Sequence, residues 1–377
     1  MNFLLLSCKT GGGHDAAANA LKEQFEKMGH QAFVFDYLTL AGEKVAKRVA
    51  NTYVKTVQKV PYVFGAVYNL GMFIGTKTKN SPVYQVNQKM ASYLKDYLEQ
   101  NHYDAIIVTH LFPAETLTYM KRININLPPV FAVLTDYTLT PFWEETECDE
   151  YITPHEDLTD EIVKRGLPFE KLHPYGIPYS PRINVELDNE SAKLDLGLPN
   201  NRKVVLLIGG SMGAGNLTKL TNAFAKCQMI DQLCIVVITG NNEKVFNKLQ
   251  KKYLDHPSFK ILGHTTNMPT YMKAADIIYT KPGGLTSTEA AASRTPLVLT
   301  YQIPGCETAN KMFFINHGMA ISGDNPNDMV KQGCDLINNE NACEEMVRAQ
   351  IDNVDEQATF RIAEFIIETS NVHKDII

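Results

Sequence analysis

At 377 residues, 44% hydrophobic and 21% charged with no low-complexity tract, the chain has the composition of a soluble globular protein. It is long enough for two domains, each with its own core. A formal net charge of −6 argues against nucleic acid as the main partner, and seven scattered cysteines without a CxxC pair favour reduced cytosolic thiols over a disulfide framework or a zinc site.

In chain order, Phe3–Ser7 is an apolar run with no basic segment before it and a glycine turn after it. It is read as a buried strand and not as a signal peptide. Thr10-Gly11-Gly12-Gly13-His14 follows, then a helix-forming run over Asp15–Met28. Glycines let the backbone turn sharply and approach a ligand, and the helix N-terminus offers unpaired N–H groups to an anion. His14 is a candidate proton acceptor near neutral pH, or an ordinary exposed histidine of a glycine turn.

Strands are expected at Ala32–Tyr37, Asp104–Thr109 and Pro129–Thr135, and a helix over Val83–Gln100 with Val83, Val86, Met90, Leu94 and Tyr97 on its inner face. Between the first two of these strands lies a basic stretch with Lys44, Lys47, Arg48, Lys55 and Lys59. An uncharged run from Val60 to Thr76 follows, containing Phe64, Tyr68 and Phe73. Seventeen residues interrupted by Pro61, Gly65, Asn69 and Gly71 are too few and too broken for a spanning helix. The run fits contact with a membrane surface or an acceptor, or a helix packed in the first core.

A second series of strands is expected at Lys203–Ile208, Cys234–Thr239, Phe259–Leu262, Asp276–Thr280 and Pro296–Thr300. Strands alternating with helices in two series, each opening on a strand with a glycine-rich turn, predict an α/β protein of two Rossmann-like domains. The proline-rich run His173–Pro181 reads as the linker, dividing the chain into 1–176 and 177–377. A helical pattern after Val354, with Phe360, Ala363, Ile366 and Ile367, is long enough to pack back on the first domain.

Two further loops have ligand character. Ile208-Gly209-Gly210-Ser211-Met212-Gly213-Ala214-Gly215-Asn216 precedes a helix start and suits a diphosphate, without being a Walker A loop or a GxGxxG match. Lys281-Pro282-Gly283-Gly284-Leu285-Thr286-Ser287-Thr288-Glu289 closes a strand, with Thr286, Ser287 or Thr288 expected to cap the next helix. Glu289 would then stand on the first turn, as a ribose-binding carboxylate or a capping residue. Ile303-Pro304-Gly305-Cys306-Glu307-Thr308-Ala309-Asn310 follows the next strand. No DxD pair occurs, which argues against a metal bridging a diphosphate.

Together these motifs resemble the glycosyltransferase family of monogalactosyldiacylglycerol synthases and bacterial processive diacylglycerol glucosyltransferases, and more distantly MurG. The likeness extends over Gly11–His14 with Ala16–Ala20, Thr109–Glu115, Thr135-Asp136-Tyr137 with Pro141-Phe142-Trp143, Gly176-Ile177-Pro178, Lys281–Thr286 and Ile303-Pro304-Gly305. The resemblance implies a GT-B fold, its parallel sheets facing an interdomain cleft. It implies inverting, metal-independent transfer of a hexose from a UDP-sugar to the hydroxyl of diacylglycerol or a glycosyl-diacylglycerol, with no further cofactor. In that scheme His14 is the base, with Asp136 as a rival or orienter. Gly13, Ser211, Met212 and Gly213 lie near the diphosphate, His264 and Thr265 near uracil, and Gly284, Leu285, Thr286 and Glu289 at the donor and its ribose. Glu307 and Asn310 read the sugar, beside Cys306, which stands where relatives commonly carry glutamine. A thiol is a weaker hydrogen-bonding group than an amide, so the donor sugar is left open. The expected setting is cytoplasmic, peripheral to the anionic inner face of the cell membrane. Rival readings are a MurG-like transferase of UDP-GlcNAc to a lipid-linked precursor, a UDP-sugar 2-epimerase, and a non-catalytic UDP-sugar-binding protein.

Overall fold

The computed structural model describes residues 1–9, 12–44, 68, 70–73, 80–184, 187–210 and 216–376, the last four without side chains. These residues fall into two compact units. The first comprises Met1–Ser180, Ile303–Cys306 and Gln357–Ile377, and the second Pro181–Gln302 and Glu307–Glu356.

Six strands build the first unit: β1 (Asn2–Ser7), β2 (Gln31–Asp36), β3 (Ala105–Val108), β4 (Val130–Val133), β5 (Glu150–Ile152) and β6 (Leu172–His173). They pair in the order β2-β1-β3-β4-β5-β6, all parallel. Crossover helices cover both faces of such a sheet, so its central strands are continuous apolar runs, and Phe3 to Leu6 and Ala105 to Val108 are wholly buried. The helix Gly13–Lys27 lays Ala18, Leu21 and Phe25 on this sheet, where Phe25 stacks on Phe3 at 4.2 Å between ring centroids. The C-terminal helix Ala358–Ile376 completes the same core with Ile362, Ala363 and Ile366. Phe360, expected inside, is 40% exposed, because the buried stripe runs through Ile362 instead.

The run 173–181 is more than a tether. Ile177 and Tyr179 are buried, and Thr359 Oγ1 accepts from the Tyr179 amide at 3.0 Å while donating to its carbonyl at 2.7 Å. Its chain direction changes at Gly176, φ +99°, where an added Cβ would meet Ala358 at 3.2 Å.

One helix expected over 83–100 is broken into Pro82–Asn87, a 3₁₀ turn Gln88–Met90, and Ala91–Gln100. Its buried stripe starts one residue later than the apolar pattern and rejoins it at Leu94: Tyr84, Asn87, Ala91 and Leu94 face in, and Val86 is exposed. Asn87 belongs inside because its amide donates to Glu115 at 2.7 Å.

The second unit has β7 (Lys203–Ile208), β8 (Leu233–Ile238), β9 (Phe259–Leu262), β10 (Ile277–Thr280), β11 (Leu297–Leu299) and β12 (Ile321–Ser322), in the order β12-β11-β10-β7-β8-β9 and again all parallel. Its helix Pro326–Ile337 approaches β10 closely at Gly333, against the Tyr279 ring, whose hydroxyl donates to the Met329 carbonyl at 3.2 Å. A Cβ at Gly333 would overlap the Tyr279 hydroxyl and lie 3.2 Å from Ile277 Cδ1.

Helix propensity alone favours alanine over glycine by about 1 kcal/mol. The overlap outweighs that gain, so Gly333→Ala is expected to destabilise the protein by about 1–3 kcal/mol in urea unfolding. Tyr279→Phe in the same background, lacking the overlapped oxygen, recovers part of the loss. A stabilised Gly333→Ala protein contradicts this packing.

Candidate active site

In the first unit the strand order reverses between β1 and β3, and open parallel sheets bind ligands in the crevice beyond such a reversal. His14 stands there. Beyond β1, Gly12 takes φ +86° as the N-cap of the helix Gly13–Lys27, which puts His14 in the first turn. Asp15 beside it accepts from Ser7 Oγ at 2.5 Å, tying the helix start to the strand end.

His14 Nδ1 lies 2.6 Å from the Thr109 carbonyl oxygen at the end of β3 and 3.1 Å from Thr135 Oγ1. A carbonyl oxygen only accepts, so Nδ1 carries the proton and Nε2 is the basic nitrogen. Thr109 Oγ1 donates back to the His14 carbonyl at 3.1 Å. Burial lowers the His14 pKa below the usual histidine value, while the nearby Asp136 carboxylate, the Thr109 bond and Asp15 push the other way. The ring meets His110 edge to face, centroids 4.7 Å apart, and burial together with His14 holds His110 well below the ordinary range. Two neutral imidazoles therefore sit side by side. His110 was legible only as part of a motif; its contact with His14 required the fold.

His14 and Asp136 line a cavity of about 340 Å³ whose other walls include Leu111, Phe112, Leu134, Phe142 and Trp143. Tyr68 and Cys306 also line it. The loop carrying Phe142 and Trp143 is tied down by Arg165, which grips Glu144 through both carboxylate oxygens, at 2.9 and 3.0 Å, and also donates to the Leu139 carbonyl. Arg165 and Glu144 are almost fully buried, so each needs the other's charge. Phe142 takes φ +76°, uncommon for a bulky residue, and Gly71 approaches so closely that an added Cβ would meet Pro141 at 3.1 Å and Phe142 at 3.2 Å. Below the loop Glu145 accepts from the Ser81 amide and hydroxyl, and burial pushes the Glu115 carboxyl up to about 9.

Of the remaining residues expected to face an acceptor or membrane, Lys44 and Phe73 are exposed. Lys47, Arg48, Lys55, Lys59 and Phe64 lie outside the described residues. No helix among the described residues is long and apolar enough to cross a membrane.

In the second unit the reversal falls between β7 and β10, whose ends are in register at Ile208 and Thr280. β7 leads to Gly209-Gly210; Ser211, Met212 and Gly213 lie outside the described residues. β10 leads through Lys281-Pro282-Gly283 into the helix Gly284–Ala292. This corrects the expected capping. The helix starts at Gly284 with Gly283 as an N-cap that has no side chain, so Thr286, Ser287 and Thr288 lie inside it. Thr288 Oγ1 instead donates to the Gly284 carbonyl at 2.8 Å. Glu289 is thereby on the second turn, beyond the reach of the uncapped N–H groups. Gly284 and the Leu285 side chain are buried and Thr286 is half-buried, and the first N–H groups of this helix have no intrahelical acceptor.

Glu289 has no hydrogen-bond or ion-pair partner among the described residues, and burial pushes its carboxyl up to about 7. His264 is exposed and Thr265 half-buried just beyond β9, where Thr265 Oγ1 accepts from the Asn267 amide at 3.1 Å. Glu307 and Asn310 both hold the β10 turn. Glu307 pairs with Lys281, and the buried Asn310 amide donates to the Pro282 carbonyl at 3.0 Å. Lys281, central to this arrangement, was not among the expected site residues. Its place directly after the strand was the available signal.

A half-buried carboxyl with a raised pKa has a pH signature. With a folded-state pKa raised above its unfolded value, Glu289 costs nothing below about pH 4.5 and destabilises progressively as pH rises toward 7. Glu289→Gln is therefore expected to flatten the loss of stability between pH 5 and pH 8, read as urea midpoints. Parallel wild-type and variant curves contradict the assignment.

Residues 14–179 match the monogalactosyldiacylglycerol (MGDG) synthase family, and residues 188–352 match glycosyl transferases group 1. A relative from Bacillus pumilus named processive diacylglycerol beta-glucosyltransferase is 26% identical over 376 residues, covering 98% of this chain and 95% of its own. Among solved structures, Acinetobacter baumannii MurG superposes with a TM-score of 0.63 at 15% identity, covering 97% of this chain and 99% of its own. The S. aureus MnaA–UDP co-structure does so with a TM-score of 0.65 at 14% identity, covering 98% and 97%. Two six-stranded parallel sheets with this likeness make the fold GT-B. The chain is a glycosyltransferase whose first half matches the monogalactosyldiacylglycerol synthase family and whose second half matches glycosyl transferases group 1.

Proposed function

We propose that this glycosyltransferase moves a hexose from a UDP-sugar to the hydroxyl of diacylglycerol, or of a glycosyl-diacylglycerol, at a membrane surface. The observation that carries the reading is the cavity of the first unit. A histidine whose Nδ1 is already committed as a donor lines a space whose apolar walls include Phe112, Leu134, Phe142 and Trp143. Apolar walls suit a lipid acceptor, and the basic Nε2 suits removal of its hydroxyl proton. The relative named processive diacylglycerol beta-glucosyltransferase supports both the acceptor and a hexose.

In this mechanism the acceptor oxygen attacks the anomeric carbon as its proton passes to His14, and the bond to the UDP oxygen breaks with its electron pair leaving on the diphosphate. One displacement inverts the anomeric centre. Asp136 stabilises the imidazolium that forms. On the donor side the unpartnered Glu289 suits ribose hydroxyls, and the uncapped start of the helix Gly284–Ala292 suits the diphosphate. The absence of a DxD pair supports transfer without a metal or other cofactor. Exposed Lys44 and Phe73 support attachment of a peripheral protein to an anionic surface, the inner face of the cell membrane.

Incubation with labelled UDP-glucose, UDP-galactose or UDP-GlcNAc and diacylglycerol tests the proposal by the lipid product. A product only on a lipid-linked peptidoglycan precursor, an epimerised nucleotide sugar, or binding without turnover would each replace it with a rival. His14→Ala is expected to lower transfer by about 10²–10⁴-fold with UDP binding retained, and unchanged transfer removes His14 as the base. Because burial lowers the His14 pKa, the acidic limb of kcat/KM is expected at lower pH than for an ordinary histidine. Asp136→Asn removes a charge that raises that pKa, so its acidic limb moves to still lower pH. An unmoved limb contradicts the pairing. Co-sedimentation is expected with vesicles containing anionic lipid and to weaken with salt, whereas equal binding to neutral vesicles counts against surface attachment.

A further inference from the structure

We infer that Lys281 is the cation that neutralises the donor diphosphate, held in place by Glu307. The inference rests on the donor reading above and adds a residue to it. Lys281 follows β10 directly, across from Gly209-Gly210 at the end of β7, at the point where the strand order of the second sheet reverses. Its stem lies against Gly210, where an added Cβ would come 3.1 Å from Lys281 Cε. Its ammonium lies against Gly283, where an added Cβ would come 3.2 Å from Nζ. Glycine at both positions is what lets the lysine cross from one strand end to the other, beside the uncapped start of the helix Gly284–Ala292.

The ammonium donates to Glu307, and the two side chains are only 16% and 8% exposed. A buried ion pair is a poor stabilising device, because desolvation offsets most of the attraction and an apolar pair of similar volume often serves as well. Its retention where parallel sheets bind ligands fits a charge kept for chemistry. An ammonium has three protons. One goes to Glu307, and the remaining two suit oxygens of a diphosphate lying over Gly210. When the glycosidic C–O bond breaks, its electron pair adds a negative charge to the departing UDP. A fixed cation lowers the energy of that charge without a metal. Glu307 is then a positioning residue that orients the lysine.

The test compares equilibrium binding of uridine, UMP and UDP by calorimetry. Wild type is expected to bind UDP more tightly than uridine. Lys281→Met should reduce UDP affinity at least tenfold while leaving uridine within twofold, and should lower kcat for transfer by more than 100-fold. Lys281→Arg should retain most of the preference for UDP. Because Lys281→Met leaves Glu307 buried without its partner and is prone to misfold, the double variant Lys281→Met/Glu307→Gln removes both charges together and should show the same loss of preference. An unchanged UDP-to-uridine ratio in the double variant overturns the inference and leaves the donor reading standing. Equal loss of uridine and UDP in both variants makes Lys281 a brace for the turn only. A wild-type protein that binds none of the three nucleotides overturns the donor reading and this inference together.

Discussion

Parallel pairing of adjacent strands is the constraint on which the rest depends. β1 and β3 run in register from Phe3–Ala105 to Leu6–Val108, and the Thr109 amide continues the ladder with a 3.2 Å bond to the Leu6 carbonyl. Because the strands are parallel, the chain leaves both at the same edge, and the reversal of strand order sends the two following helices apart. The glycine turn before His14 and the Thr109–His110 corner are thus left facing one crevice. The same argument in the second sheet brings Gly209-Gly210 and Lys281 together, through the pairing of Ile208 with Thr280.

Around these crevices the protein buries ionisable groups and treats them in two ways. Arg165 and Glu144 are paired in charge, and together they hold the loop that walls the cavity. Glu289, half-buried, has no partner among the described residues, and desolvation drives its carboxyl toward the neutral form. Lys281 with Glu307 combines both, being paired at rest and placed at the strand ends.

Much of the fold was legible because its signals are local. Long apolar strands are marked by buried runs followed by a glycine turn, Phe3 and three leucines in Asn2–Ser7 and valine, leucine and isoleucine in Lys203–Ile208. Short ones were not: Glu150–Ile152, Leu172–His173 and Ile321–Ser322 span two or three residues and exist only because a neighbouring strand offers them a ladder. The inner face of 82–91 was displaced by one position because Asn87 enters the core through a hydrogen bond to Glu115, which hydrophobic periodicity does not register. The capping expected of Thr286 to Thr288 failed because Gly283-Gly284 already turns the chain into the helix.

For the site, the sequence by itself determined which chemical groups stand after which strands: a histidine after the first glycine turn, a lysine and then a carboxylate after β10, and glycines where the backbone turns. These are properties of consecutive residues. What the groups do to one another was decided only by the tertiary structure. The proton of His14 is assigned by a carbonyl 95 residues away, and Lys281 is oriented by a carboxylate 26 residues on. Burial, which lowers the pKa of one imidazole pair and raises that of Glu289, comes from packing many distant segments together. Hydrogen bonding and desolvation act through space, and only the folded chain brings their partners within reach.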